Sequence, residues 1–270
     1  MIQIPKAIPI KRIMQETPFV KTFVFEHTLN SKPGQFVNLW IPRVDEKPMS
    51  IAYDDGKEFW VTMFAVGPFS KKMHELKEGD LVGVRGPYGT GFKFEAGQHL
   101  VMMAGGYGAA PLYNLAIAAA NKGCTIDFVI GARSKEHLLY IERIEKLAGV
   151  KLHISTDDGS VGVKGYNTQI LENLIVEAKA GGQKIDCVYT CGPEMMMKKI
   201  SDICDKNGVD AQISIERYMK CGFGVCGQCS VDPKGIRMCK EGPVVSNKLA
   251  RSIVEFGAFH RDAVGRKHNF

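Results

Sequence analysis

Short apolar runs punctuated by glycine, proline and aspartate fill the first third of the chain. Thr22–Glu26, Gln35–Ile41, Phe59–Ala65 and Leu81–Arg85 are rich in Val, Ile, Phe and Thr and recur at near-regular spacing. Such spacing predicts the strands of a small antiparallel barrel or sandwich, with one short helix near Lys71–Leu76. The period changes near Gly97. His99–Ala104 is a continuous apolar run, as expected of a strand buried on both faces. Helical character follows at Pro111–Lys122, Glu136–Ala148, Thr168–Lys179 and Glu194–Asn207. These segments alternate with strand character at Thr125–Gly131, Lys151–Thr156 and Lys184–Cys191. Alternation of this kind predicts a parallel α/β sheet, with Gln212–Glu216 as its last strand. From Arg217 onward cysteine and glycine dominate and no long apolar element appears. Such a piece cannot build a large core, and a metal centre is the candidate for holding it together. The predicted fold is therefore multidomain, β plus α/β: an antiparallel barrel over residues 1–97, an α/β domain over 98–212 and a small cysteine loop region over 213–270.

Length agrees, since 270 residues suffice for two domains and an appendage. The net charge of +6 is modest, and no block of like charge or aromatic–basic repeat points to nucleic acid. Leu100–Asn121 carries no charged residue and is long enough to suggest a membrane span. Gly105, Gly106, Gly108 and Pro111 in its first half instead fit a strand, a loop and a helix, so no membrane association is expected. The N-terminal stretch lacks the apolar core and cleavage site of a signal peptide. A cytoplasmic location is thus expected, where thiols stay reduced. Eight cysteines in that setting point to metal or redox chemistry.

Four of them form the strongest motif. Cys221, Cys226 and Cys229 follow C-x4-C-x2-C, and Cys239 comes after nine intervening residues. Plant-type [2Fe–2S] centres use this spacing with a more distant fourth thiolate. Gly222, Gly224 and Gly227 allow the loop to wrap closely around such a centre. A structural zinc site also takes four cysteines, but usually as paired C-x2-C knuckles, and the x4 step does not fit that pattern. Cys124, Cys187 and Cys204 sit in apolar or helical contexts and are expected in the core.

Two glycine-bearing turns lie between predicted strands and helices. Gly105, Gly106 and Gly108 precede Pro111, and Cys191-Gly192-Pro193 precedes Glu194. At the carboxyl edge of a parallel sheet both would meet a ligand, with helix N-termini favouring phosphate. Close packing and helix capping are the alternative reasons for those residues. The turn Thr156–Gly159 falls at the same edge and would contact ribose or only reverse the chain.

In this order the motifs resemble those of the ferredoxin–NADP⁺ reductase superfamily over nearly the whole chain. More narrowly, they resemble the electron-transfer subunits of NAD-linked dihydroorotate dehydrogenase. Lys47-Pro48-Met49-Ser50 is similar to that superfamily's Arg-Pro-x-Ser flavin motif, and Val66–Ser70 is placed like its Gly-x-Gly-Thr turn. Gly86–Phe92 resembles the stretch that closes the flavin barrel. The 105–112 and 191–193 turns match its nicotinamide nucleotide motifs. The resemblance implies FAD between barrel and α/β domain, with Lys47 and Ser50 at its pyrophosphate and ribityl region. It also implies Met63, Phe64 and Ala65 lining the cofactor, and Gly67, Phe69 and Ser70 at the flavin turn, the last two contacting its phosphates. Lys47 stands where arginine is usual and loses the bidentate fork; Phe69 stands where glycine is usual.

The implied function is electron transfer between NAD(H), FAD and a [2Fe–2S] cluster, with the flavin converting two-electron to one-electron chemistry. No acid–base or nucleophilic constellation is evident among the seven scattered histidines or elsewhere. No eight-fold βα pattern is present for substrate oxidation, so a separate FMN-bearing barrel subunit is implied, two copies of each. Phe223, Val225 and Ile236 would face that partner or shield the cluster. A diaphorase-type subunit of an NADH–ferredoxin:NADP oxidoreductase or a soluble hydrogenase would carry the same motifs. A nucleotide-binding regulator with structural zinc is the alternative of a different class.

Overall fold

Antiparallel pairing closes the first strands into a barrel. The structure, a computed structural model, describes residues 4–270; residues 1–3 of the expected first domain lie outside the described residues. The strands are Lys6–Thr17 (β1), Val20–Glu26 (β2), Phe36–Ile41 (β3), Asp45–Asp54 (β4), Glu58–Phe64 (β5) and Leu81–Tyr88 (β6). They run antiparallel in the order β1-β2-β5-β4-β3-β6, and β6 pairs back onto β1. Closure leaves no open edge. β1 and β4 were not legible as strands because each carries a proline, Pro9 and Pro48, which normally demotes a run. Helix α1 (Pro68–Glu75) sends Phe69 and Met73 into the barrel core beside Phe23 and Phe59.

The second unit alternates as its sequence predicts. It contains β7 (His99–Gly105), α2 (Ala109–Ala120), β8 (Thr125–Ala132), α3 (Ile141–Glu145), β9 (Val150–Thr156), β10 (Val163–Lys164), α4 (Asn167–Ala180), β11 (Cys187–Cys191), α5 (Glu194–Asn207) and β12 (Ala211–Ser214). The charge-free stretch 100–121 is thus a strand, a turn and a helix, and no described helix is long and apolar enough to cross a membrane. Helix α3 is far shorter than the predicted Glu136–Ala148. Tyr140 adopts a left-handed conformation (φ 64°) and buries its ring, and its hydroxyl bonds Thr22 and Thr62 of the barrel. Those tertiary hydrogen bonds override the local helical pattern.

The cysteine segment makes a small hairpin of β13 (Ser230–Val231) and β14 (Ile236–Arg237), then β15 (Val244–Ser246) and α6 (Asn247–Arg251). A second hairpin, β16 (Phe259–Arg261) with β17 (Lys267–Asn269), ends the chain. β15 pairs antiparallel with β12, so the sheet runs β10-β9-β8-β7-β11-β12-β15. The expected boundary at 212/213 falls inside β12, and the cysteine region contributes a strand to the α/β sheet. From β7 the chain builds outward through β8 and β9, then returns to place β11 on the other side. That reversal makes the loops after β7 and β11 the walls of the switch-point crevice, where open α/β sheets bind ligands.

Candidate flavin, nucleotide and iron–sulfur sites

A cavity of about 450 Å³ opens where barrel, sheet and cysteine segment meet. On the barrel side β4 supplies Lys47, Pro48, Met49 and Ser50, the end of β5 supplies Met63 and Phe64, and the turn into α1 supplies Gly67, Phe69 and Ser70. Ala65 is not on the wall. Lys47 Nζ lies 2.7 Å from Asp45 and 4.9 Å above the Tyr218 ring, so its charge is held at the rim from two sides. Burial works against protonation of Lys47, but Asp45 outweighs it and its pKa is raised.

The start of α1 is built to meet negative charge. Ser70 Oγ accepts from the N–H groups of Val66 and Gly67, each at 3.0 Å, and Pro68 occupies the first turn. The remaining first-turn N–H groups lack intrahelical acceptors and carry the positive end of the helix dipole. Phe69, where glycine is usual, is only 3% exposed and packs in the barrel core.

On the α/β side the wall consists of Tyr107, Gly108, Ala110, Pro111 and Cys191. The glycines of the two turns divide by function. Gly108 lies so close to the other turn that an added Cβ would stand 2.2 Å from the Cys191 carbonyl oxygen. Gly105 likewise meets Pro193, and Gly192 meets Gly105. These three lock the turns together, the packing alternative of the sequence reading. Gly106 is different: its φ of +53° suits glycine, and nothing lies within 4 Å of an added Cβ, so a ligand has room to approach its backbone. Gly105, Gly106, Gly192 and Pro193 stand behind the cavity wall.

The third wall was not anticipated. Ser214, Ile215, Glu216, Arg217, Tyr218 and Met219 run along it, with Pro243. Their one sequence signal is position: they join the last parallel strand to the first cluster cysteine, and must pass the cavity. Glu216 reaches the cavity space yet has protein packed around it; that crowding, with Glu194 nearby, pushes its carboxyl upward. Glu216 in turn pushes Tyr107 up to about 12. Cys191 is buried, and burial raises its thiol well above the usual range. Arg217 turns away from the cavity into a buried ion network. It makes two 2.8 Å bonds to Glu194 at the head of α5 and lies 3.5 Å from Glu255, which also meets Arg261.

Two residues beyond Met219 the cysteine loop begins. Its thiols sort into neighbouring couples, Cys221 with Cys226 and Cys229 with Cys239. Burial disfavours the Cys221 thiolate, but N–H groups of Cys226, Phe223 and Val225 outweigh it and draw its pKa to about 6. Cys229 falls to about 7 chiefly through the hydrogen bond from Cys239, which is raised in consequence. The β13–β14 hairpin returns Cys239, whose N–H lies 3.3 Å from Cys229 Sγ. A single zinc ion needs its ligands to converge on one point at about 2.3 Å. Among the described residues no three His, Cys, Asp or Glu side chains converge so. Two couples of thiols, each with one member drawn down in pKa, suit two irons, one couple to each. Of the apolar residues expected at an interface, Val225 is 78% exposed, while Phe223 and Ile236 pack against the core beneath the loop. Cys124, Cys187 and Cys204 are buried as expected.

Comparison with known proteins agrees with this arrangement. Residues 216–249 match the model of the iron–sulfur cluster binding domain of dihydroorotate dehydrogenase B, and residues 102–202 match the oxidoreductase NAD-binding domain. The chain is 46% identical over 263 residues to a probable dihydroorotate dehydrogenase B (NAD(+)), electron transfer subunit of Methanocaldococcus jannaschii, covering 97% of this chain and 98% of that one. The like-named protein of Methanothermobacter thermautotrophicus is 42% identical over 270 residues, 98% of each chain. Among solved structures, one of an NADH-dependent reduced ferredoxin-NADP oxidoreductase aligns with a TM-score of 0.79 at 26% identity, over 92% of this chain and 90% of that one. The FAD/NAD-binding domain of a Vibrio cholerae nitric oxide dioxygenase shares the fold, with a TM-score of 0.68 at 19% identity over 78% of this chain and 99% of that one.

Proposed function

The chain belongs to the family of dihydroorotate dehydrogenase B electron transfer subunits, and on that premise we propose how its residues divide the work. The protein is an oxidoreductase subunit that moves electrons between NAD(H), FAD and a [2Fe–2S] cluster for a catalytic partner subunit. It thereby links dihydroorotate oxidation to NAD⁺ in pyrimidine biosynthesis. This reading stands over the diaphorase alternative, and the cluster-domain match replaces the zinc regulator.

When bound, the flavin exchanges hydride with the nicotinamide and single electrons with the cluster. Lys47, Ser50 and the head of α1, including Phe69 and Ser70, hold its pyrophosphate and ribityl chain. Pro48, Met49, Met63 and Phe64 enclose its ring, with Ala65 behind them and Gly67 allowing the turn. Gly106 admits the nucleotide phosphates, while Gly105, Gly108, Pro111, Gly192 and Pro193 fix the two turns that orient it. Cys191 stands where the nicotinamide meets the flavin. Cys221, Cys226, Cys229 and Cys239 hold the cluster. The flavin barrel (1–97) is followed by the nucleotide domain (98–212) and the cluster region (213–270), the last two sharing β12 and one sheet.

One observation carries this reading: a single segment, Ser214–Met219, lines the cavity and leads within two residues to Cys221. Flavin and cluster sites therefore share a wall, as direct electron transfer between them requires. Outside the chain, the partner is an FMN-bearing barrel subunit docked over exposed Val225, two copies of each subunit, in the cytoplasm. Anaerobically purified protein is expected to contain FAD, about two irons and acid-labile sulfide per chain, and to bleach with NADH. Zinc in place of sulfide, or a spectrum unmoved by NADH, overturns the assignment. The mass of the co-purified complex tests the stoichiometry.

A further inference from the structure

Tyr88 closes β6 on the barrel face that carries the cysteine loop. Its ring centroid lies 5.8 Å from Phe36, which lines the flavin cavity, and 6.3 Å from Phe223 on the loop. Gly222 rests on the same ring, where an added Cβ would stand 2.8 Å from it. Tyr88 is 9% exposed, and its buried O–H finds no acceptor among the described residues. Arg85, whose guanidinium lies 5.9 Å over the ring, gives Nε and Nη2 to Glu46 and the Lys220 carbonyl; toward the phenol it can act only as a donor, so it offers the O–H no acceptor. Asn38 beside it donates to that carbonyl at 3.0 Å.

A buried phenol without an acceptor is an exception that calls for a partner. The adjoining loop is where the proposed cluster brings sulfur acceptors. Resting on that reading of the four cysteines, we infer that Tyr88 is a positioning residue for the iron–sulfur centre: its ring seats Gly222 and its O–H donates to cluster sulfur or to Cys221. Cys221 packs against the same buried cluster as Tyr88. Hydrogen bonds to sulfur stabilise the reduced, more negative centre and raise its potential.

The test is Tyr88→Phe, which keeps the ring and removes only the oxygen. Iron and sulfide content are expected to be unchanged. In an EPR-monitored redox titration the cluster midpoint moves to more negative potential. At fixed poise its reduced-to-oxidised ratio falls roughly five-fold, the worth of one hydrogen bond. The flavin midpoint stays in place. Cluster-free Tyr88→Phe melts no lower than cluster-free wild type, because the O–H has no acceptor there to lose. An unmoved cluster midpoint, as a water shared with Asn38 would give, overturns the inference, and so does a cluster-free variant that melts lower. A wild-type protein without sulfide removes the functional reading itself, a separate failure.

Discussion

Arg217→Met tests the buried ion network that ties the cysteine segment to the nucleotide turn. The side chains of Arg217, Glu194 and Glu255 are 4%, 5% and 1% exposed. The substitution leaves Glu194 with only the Gly257 N–H at 3.1 Å, while Glu255 keeps Arg261 at 3.1 Å. Removing one partner of a buried pair costs about 3–5 kcal/mol, because the other charge is left desolvated. At about 2–4 °C per kcal/mol for a chain of this size, the melting temperature should fall by roughly 6–20 °C. Glu194 directly follows Cys191-Gly192-Pro193, so KM for NADH should rise with kcat less affected. Calorimetry and steady-state NADH oxidation with an artificial acceptor measure both. The exposed pair Lys72–Glu75 supplies the control: Lys72→Met should shift the melt by less than about 2 °C. In a double-mutant cycle, Glu194→Gln with Arg217→Met should cost clearly less than the sum of the singles. A melt within about 2 °C of wild type, or additive singles, would refute the reasoning.

Two further expectations concern the sheet. Gly108→Ala places a methyl 2.2 Å from the Cys191 carbonyl, which neither backbone can relieve without separating the turns. NADH-driven flavin reduction should drop at least about ten-fold, as small misplacements in such sites do, while dithionite still reduces the cluster; unchanged NADH kinetics would count against it. At the opposite edge of the sheet, Asp127 accepts from His99 at 2.8 Å and His153 at 2.7 Å. Burial opposes ionisation of Asp127, but the two histidines outweigh it and hold its carboxyl well below the usual range. His99 is raised above 6.5, chiefly by Asp127. The lowered carboxyl contributes stability above 3.8 that is lost only as pH falls through its folded value. The raised histidine contributes fully below 6.5 and loses its share as pH climbs through its folded value. Wild type should therefore exceed Asp127→Asn most between pH 3.8 and 6.5, and the gap in melting temperature should narrow as pH rises beyond that; a widening gap contradicts it.

The sequence by itself determined whatever lies within one turn or one short motif. The C-x4-C-x2-C spacing, the strand-to-helix turns at Gly105–Gly108 and Cys191–Pro193, and the change of hydrophobic period near Gly97 are all local patterns, each set by neighbours a few residues apart. Tertiary structure decided what depends on distant partners. β1 and β4 are strands because their neighbours in a closed barrel complete them, despite Pro9 and Pro48. Tyr140 holds back the start of α3 because hydroxyls of Thr22 and Thr62 are there to meet it. The flavin cavity gains its third wall from Ser214–Met219, Lys47 is steadied by Tyr218, and Asn38 reaches Lys220 across 182 positions of chain. No spacing rule encodes such contacts, because burial of apolar faces against one another fixes which distant segments meet.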